Sequence, residues 1–472
     1  RSVGSTTSNG SESTGVIPFL KVVDAEMLAF SQGVTRRGSY AAYLDISHPE
    51  VEEFLDVRKP TGGDVNRKST NLHHGVLLSD EFMELIEKAT KIEGFDDSWD
   101  LVDPHSGEIK KTVSAKTLWV KLIQNRVETG EPYIMFKDTV QEAVPEFQQN
   151  LGLTVHHSNL CSEITLATDK DRTAVCCLSS VNLEEYDEWK DNDDFIPDLV
   201  RMLDNVIEFF INNAPDQLSR ASYSAMRERS LGLGAMGFHA YLQRHSIPFE
   251  SAMAKGRNLQ MFGRIKGEAV RATRQLATER GECPDGEGYG VRNAHLLAIA
   301  PNASSSIICG NTSPSIEPYR ANAFTQKTKS GSSLLKNEYL EDTLQDLGYD
   351  TDDVWKSILT NGGSVQHLEF LDQWTKDVFK TAVEIDQRWV IEMAGDRQEF
   401  ICQSQSLNVF FPANISKQEL HAVHMMAWKR GVKTLYYLRS EAMKRAENVS
   451  DEVLRQYIFD SIDDEGCLAC EG

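Results

Sequence analysis

The feature that most constrains this chain is a repeated switch of hydrophobic period. "LHHGVLLS" (72–79) is a short apolar run of strand type. "DEFMELIEKAT" (80–90) follows at once with its apolar residues at helical spacing and Asp80 near its start. The switch recurs in "AKTLWVKLIQNRVETGEPYIMF" (115–136), a helix stopped at Gly130 and then a strand. It recurs again in "SQSLNVFFP", "KQELHAVHMMAWKRG" and "VKTLYYL", which read as strand, helix and strand between 404 and 438. "HPEVEEFLDVRK" (48–59), "FIPDLVRMLDNVIEFFINNA" (195–214), "LQMFGRIKGEAVRATRQLATERG" (259–281) and "DQWTKDVFKTAVEIDQRWVIEMAGDRQEF" (372–400) read as helices. "SNLCSEITL" (158–166) and "TAVCCLSSVNL" (173–183) read as strands. "DSWDLVDPHSGEIKKT" (97–112) reads as a surface hairpin turning at Pro104–Gly107. Strands that alternate with helices predict an α/β fold with parallel strands.

Charge and cysteine usage narrow the function. A net charge of −22 over 472 residues excludes the basic stripe of a nucleic-acid groove, yet leaves room for small nucleotides held by a few local donors. No apolar run is long enough to span a membrane, and "RSVGSTTSNGSESTG" (1–15) has no apolar core of a signal peptide. Eight cysteines in a chain this long do not make a disulfide scaffold, so most are expected to be buried thiols.

Five stretches carry chemistry-bearing residues. In "SNLCSEIT", Asn159, Cys161 and Glu163 alternate, so an extended backbone would present an amide, a thiol and a carboxylate on one side. A carboxylate does not lower a thiol pKa, so the trio suits a thiol working neutrally or as a radical, with the acid moving protons. "AVCCLSS" holds Cys176 and Cys177, of which a strand would turn one inward and one outward. "APNASSSIICGN" follows an apolar strand with small and polar residues that could cradle a phosphate, or form an ordinary cap. "KTLYYLRS" carries Tyr436 and Tyr437, whose rings an unbroken strand would send to opposite faces. "CLAC" near the end places Cys467 and Cys470 in an acidic tail without further metal ligands, which fits a dithiol shuttle. Two other features read as structural. "GLGAMG" (232–237) is expected to be a tight, closely packed glycine turn, and the pairs His73–His74 and His156–His157 to be ordinary surface or half-buried histidines.

Taken in order, "SNLCSEI", "CCLSSVNL", "APNASSS…GN…IEPY", "TLYY" and the terminal cysteine pair resemble the catalytic subunit of class I ribonucleotide reductase. The resemblance extends to "RRGSYAAYLDISHPEVEEFLDVRK" and "RSLGLGAMGFHAYL", and so covers nearly the whole chain. It implies a ten-stranded α/β barrel with a central finger loop, here without the first part of the barrel. That barrel would fill residues 1–445 and a flexible redox tail residues 446–472. It implies that Cys161 carries a transient thiyl radical, that Glu163 accepts the 3′-hydroxyl proton and that Asn159 positions the sugar. Ser158, Leu160 and Ser162 would contact substrate beside them. Pro301, Asn302, Ala303, Ser304, Ser305 and Ser306 would hold the diphosphate. Cys176 would be one of two reducing thiols, and Cys467 and Cys470 would re-reduce them. Tyr436 and Tyr437 would relay the radical from a metal-containing small subunit. Arg1, Ser31, Gly33, Arg36, Arg37 and Gly38 would lie on loops that bind a dNTP or ATP effector at a homodimer interface.

The implied substrate is a ribonucleoside diphosphate and the implied reductant a thioredoxin or glutaredoxin-type protein. No metal and no covalently bound cofactor are expected on this chain, and no nucleic-acid or membrane partner. The implied location is cytoplasmic, in a host cell if the chain is phage-encoded. No cysteine precedes Cys161, although the family places its second active-site reducing cysteine further toward the N-terminus. With the start inside a loop, this raises the expectation of a split large subunit, as in some phage relatives, whose N-terminal piece is a separate partner. The alternatives are a cobalamin-dependent reductase and a non-catalytic regulatory relative.

Overall fold

His73–Leu78 is the middle of the first strand array, with Ala41–Asp45 parallel on one side and Tyr133–Phe136 parallel on the other. The computed structural model describes residues 1–32, 36–328 and 331–440. Gly33, Cys467, Cys470 and the expected redox tail lie outside the described residues. All four residues of Tyr133–Phe136 are buried, as expected of a strand covered on both faces. Helices Asp80–Lys91 and Ala115–Thr129 connect these strands. Ser79, rather than Asp80, caps the first helix by accepting from the Phe82 amide at 3.2 Å. Gly130 ends the second in the left-handed region at φ 80°.

The second array is also parallel. Leu178–Asn182 pairs with Gly232–Met236, which bridges through Leu233 to Leu297. Ile299 bridges to Gln405, and Val409–Phe411 pairs with Leu438–Ser440. The two arrays meet at one antiparallel step, where Thr434–Leu435 pairs with Met135 and Ile134. With helices Phe195–Asn213, Ala252–Arg280, Gln387–Gln398 and Lys417–Lys429 packed around these strands, the fold is an α/β barrel of the expected type. A separate small core formed by residues such as Leu340, Trp355 and Phe379 supports the segment from Ala323 to Phe379.

Several local expectations change. "GLGAMG" is a buried strand rather than a turn, and only Gly237 takes positive φ, at 82°. The close packing holds: a Cβ on Gly234 would lie 2.5 Å from the Ala298 carbonyl oxygen, so the glycine lets two strands approach. The 372–400 stretch splits into helices Gln373–Val378 and Gln387–Gln398. Only Val51–Phe54 of "HPEVEEFLDVRK" is helical. The expected hairpin is Ser98–Val102 paired with Ile109–Ser114.

The outer helices are tied by a buried carboxylate. Asp204 on Phe195–Asn213 accepts from Arg229 (3.0 Å), Arg280 (2.8 Å) and Asn293 (3.2 Å), with Arg292 at 3.4 Å. Burial pushes the Asp204 carboxyl up, but bonds and charge from Arg229, Arg292 and Arg280 outweigh it and hold the group below its ordinary range. A depressed folded value means the stabilisation is complete above the unfolded pKa and is lost as pH falls through the folded one. Asp204→Ala should cost about 3–5 kcal/mol, because it strands buried guanidinium groups. Denaturant unfolding at neutral pH checks this, and the variant's stability should fall less steeply on acidification than the parent's.

Candidate active site

"SNLCSEITL" is not a strand. It runs as a loop into the space between the two arrays, turning at Asn159–Ser162 through a Ser162 N–H to Asn159 C=O bond of 3.3 Å. Ser162 sits at φ 68°, a left-handed conformation that breaks the expected alternation of Asn159, Cys161 and Glu163. The side chains are instead organised by the bonds that hold the loop. Tyr43 donates from its hydroxyl to the Asn159 carbonyl (2.7 Å). Ser406 Oγ lies 2.6 Å from the Cys161 carbonyl and 3.2 Å from Glu163 Oε2. Thr434 donates to the Ser162 carbonyl (2.7 Å), and the Ser404 amide donates to the Glu163 carbonyl (2.9 Å). Within the loop, Asn159 Oδ1 accepts from the Ile164 amide and Ser158 Oγ donates to the Ile164 carbonyl. At about 1 kcal/mol per net bond, such a set can offset much of the ordering of a short loop.

Cys161 and Glu163 are both fully buried. Cys161 packs in one cluster with Tyr133, Tyr436 and Tyr437, flanked by Tyr43 and Leu160. The tyrosine rings are close: centroids are 4.2 Å apart for Tyr436–Tyr437, 4.8 Å for Tyr133–Tyr436 and 5.1 Å for Tyr133–Tyr437. They meet because the strand breaks. Thr434–Leu435 pairs with the first array and Leu438–Ser440 with the second, and the two residues between them are free of strict alternation. Asn408, which sequence reasoning passed over, holds this break: its Oδ1 accepts from the Tyr437 amide (3.0 Å), while its Nδ2 donates to the buried Glu317 carboxylate (2.5 Å). Burial drives the Tyr437 hydroxyl above its ordinary pKa, so it is protonated at neutral pH.

The other candidates occupy ends of the second array. Cys176 is exposed and Cys177 buried, one out and one in as expected, but both precede the strand, which begins only at Leu178, so the strand reading of this stretch holds from Leu178 to Asn182 alone. Burial pushes the Cys177 thiol up to about 11, leaving it an inert thiol. Pro301 and Asn302 follow the Leu297–Ile299 segment, and Ala303–Ile308 is a short helix entered through Asn302 at φ 55°. Asn302 Oδ1 accepts from Ser180 (3.1 Å), Ser306 is buried, and Ala303, Ser304 and Ser305 are half-buried. This turn stands at the carboxyl end of the parallel strands, where α/β sheets bind ligands. Arg1 is exposed and donates to the Thr6 carbonyl, and Ser31–Gln32 pairs with Arg36–Arg37 ahead of Gly38. These effector candidates flank the two ends of helix Ile17–Ala29, away from the tyrosine cluster in sequence.

The histidine pairs divide. His156 and His157 are exposed, as expected. His73 and His74 are buried and share the fully buried Glu131, which corrects the surface reading. Their partner lies 57 and 58 residues away, so nothing local signalled it. Among the described residues, no cluster of His, Cys, Asp and Glu could hold a metal ion, and no helix is long and apolar enough to cross a membrane.

Comparison with known proteins gives this geometry its family. Residues 1–288 and 284–438 match the family described as ribonucleotide reductase, barrel domain. A Frog virus 3 (isolate Goorha) chain, provisionally named as a ribonucleoside-diphosphate reductase large subunit, is 50% identical over 98% of this chain and 80% of its own length. The ribonucleoside-diphosphate reductase large subunit of Invertebrate iridescent virus 3 is 43% identical, with the same two coverages of 98% and 80%. Among solved structures, the Actinobacillus ureae class Id ribonucleotide reductase alpha subunit aligns with a TM-score of 0.79 and 37% identity, covering 91% of this chain and 74% of that one. The cysteine loop, the broken tyrosine strand and these relatives agree: the chain belongs to the ribonucleotide reductase family, and what it folds is that family's barrel domain.

Proposed function

We propose that the chain reduces ribonucleoside diphosphates to 2′-deoxyribonucleoside diphosphates, as the catalytic subunit of a class I enzyme. The observation that carries this reading is the buried packing of Cys161 with Tyr133, Tyr436 and Tyr437 on a loop that also bears Glu163. A Cys161 thiyl radical would take the 3′-hydrogen, forming an S–H bond as the C3′–H bond breaks. Glu163 would take the 3′-hydroxyl proton, Asn159 would orient the sugar, and the 2′-hydroxyl would leave as water. Cys176 and a second thiol would supply two electrons and two protons as they become a disulfide, one proton leaving with the 2′-oxygen as water and the other ending in the new C2′–H bond, while Glu163 returns its proton to the 3′-oxygen and Cys161 returns the hydrogen to C3′. Burial of Cys161 favours this chemistry, since it keeps water and oxygen from the radical.

The phosphate turn, Pro301 to Ser306, would hold the diphosphate through backbone N–H groups and hydroxyls. Tyr436 and Tyr437 would receive the oxidising equivalent from a metal-containing small subunit. The thiol partner of Cys176 would come from a segment on the N-terminal side, either of the same protein or on a separate N-terminal chain. Cys467 and Cys470 would reduce that pair and be reduced by a thioredoxin or glutaredoxin-type protein. The loops around helix Ile17–Ala29 would bind a nucleotide effector. That helix exposes Phe19 and Val22 on one face, with Leu28 and Phe30 exposed at its C-terminal end, apolar surface that fits a second copy of the subunit. The enzyme would act in the cytoplasm of the cell that makes it.

The test is direct. The native assembly, given a ribonucleoside diphosphate, a small subunit and a dithiol protein, should form the 2′-deoxy product, measured by chromatography. Sedimentation with a deoxynucleoside triphosphate should show the dimer. Effector binding with no product, every partner being present, would leave the non-catalytic reading in its place.

A further inference from the structure

The pair His73–His74 stands directly behind the tyrosine cluster. Glu131 lies fully buried between them: Oε1 is 2.6 Å from His73 Nδ1, and Oε2 accepts from the His74 amide (2.9 Å) and lies 3.0 Å from His74 Nδ1. Arg58 stands 3.6 Å from the same carboxylate. Burial pushes the Glu131 carboxyl up, but Arg58, His73 and His74 overcome it and hold the group well below its ordinary range. The carboxylate is therefore charged, and the short contact requires His73 Nδ1 to carry the hydrogen. That nitrogen is also 3.3 Å from the Tyr437 hydroxyl oxygen. The His73 ring stacks on Tyr133 (6.1 Å, 14°) and meets Tyr437 edge to face (6.1 Å, 75°), so its orientation is set on both sides.

We propose that His73, locked by the buried Glu131 carboxylate, is a positioning residue for Tyr437 that offers its Nδ1–H to the phenol oxygen as a second acceptor. This rests on the relay reading of Tyr437. The donor suits a group that changes oxidation state. When the oxidising radical delivered by the small subunit takes both the electron and the hydroxyl proton of Tyr437 and is itself reduced, the oxygen that remains can still accept from His73. The same hydrogen bond therefore serves the phenol and the phenoxyl radical without rearrangement, which is what a preorganised site supplies. Glu131 makes this possible by fixing the tautomer, as carboxylates do for functional histidines. The other groups around the Tyr437 ring are Arg58, Arg439 (4.3 Å over the ring), Tyr133 and Tyr436.

The test uses the full assembly and three variants. His73→Phe removes the donor, His73→Gln keeps an N–H in its place, and Tyr437→Phe judges the relay itself. His73→Phe should lower kcat by about 10–100-fold with KM for the nucleoside diphosphate unchanged, and His73→Gln should recover most of it. A fluorinated tyrosine at position 437 provides a readout that needs no turnover. Its hydroxyl pKa should rise by about one unit in His73→Phe, because the phenolate loses a donor, and return in His73→Gln. An unmoved titration, or a kcat within twofold of the parent in His73→Phe, would overturn the proposal. If Tyr437→Phe turns over normally, the relay reading fails by itself, and the titration still decides whether His73 bonds Tyr437.

Discussion

Cys161→Ala should leave no measurable turnover while the protein folds and binds nucleotide as before. The side chain is fully buried in a ring of tyrosines, and the loop that bears it is held by hydrogen bonds to its backbone carbonyls. Removing one sulfur atom therefore costs a small cavity, on the order of 1 kcal/mol, and spares the bonds from Ser406, Thr434 and Tyr43. The chemistry has no substitute, since alanine offers no bond from which a radical could be made at that point. Cys161→Ser tests the same point with shape preserved. Its hydroxyl costs about 1–3 kcal/mol if buried without a partner, and an O–H bond is too strong to be opened by a tyrosyl oxidant. Turnover is measured by product formation and nucleotide binding by calorimetry. Residual turnover above one part in about a thousand would remove Cys161 from the centre of the mechanism.

Tyr436→Phe should be equally silent, for a different reason. The substitution deletes one buried oxygen and keeps the ring, so packing against Tyr133 at 4.8 Å and Tyr437 at 4.2 Å survives. Phenylalanine cannot be oxidised at a potential that serves tyrosine, so a relay through this position stops. Substrate affinity should be unchanged, which makes the loss one of kcat alone. The outcome also separates two chemistries. An enzyme that generated its thiyl radical from cobalamin, with no small subunit, would keep turning over in this variant. Full activity would therefore redirect the search from a partner protein to a bound corrinoid.

The sequence made the architecture legible where local physics decides it. The helix at Asp80–Lys91, the glycine stop at Gly130 and the hairpin at Pro104–Gly107 are set by caps, period and turn residues within a few positions. It misled where distant partners decide. The alternation of Asn159, Cys161 and Glu163 suggested a strand, but Thr434, 272 residues downstream, draws in the Ser162 carbonyl and the backbone turns at positive φ. The two tyrosines were legible as a pair by motif alone, because an unbroken strand would have parted their rings. The break exists because Leu435 pairs with one array and Leu438 with the other. His73 and His74 carried no local sign of their shared carboxylate. "GLGAMG" read correctly as close packing and wrongly as a turn, because a Cβ clash depends on the neighbouring strand at Ala298.

The clamp on the cysteine loop has a consequence for synthesis. Ser406 reaches back 245 residues to Cys161, and Thr434 reaches back 272 to Ser162. Contacts this remote close large loops, and they slow folding far more than they weaken the finished protein. A nascent chain still on the ribosome at residue 400 thus holds every residue of the cysteine loop but lacks all of Ser404, Ser406 and Thr434, which set it. The Cys161 loop acquires its full set of bonds only when the strand at Thr434–Leu435 docks. On the proposed role of Cys161, translation order alone would delay competence for radical chemistry until the strands that bury the thiol are in place.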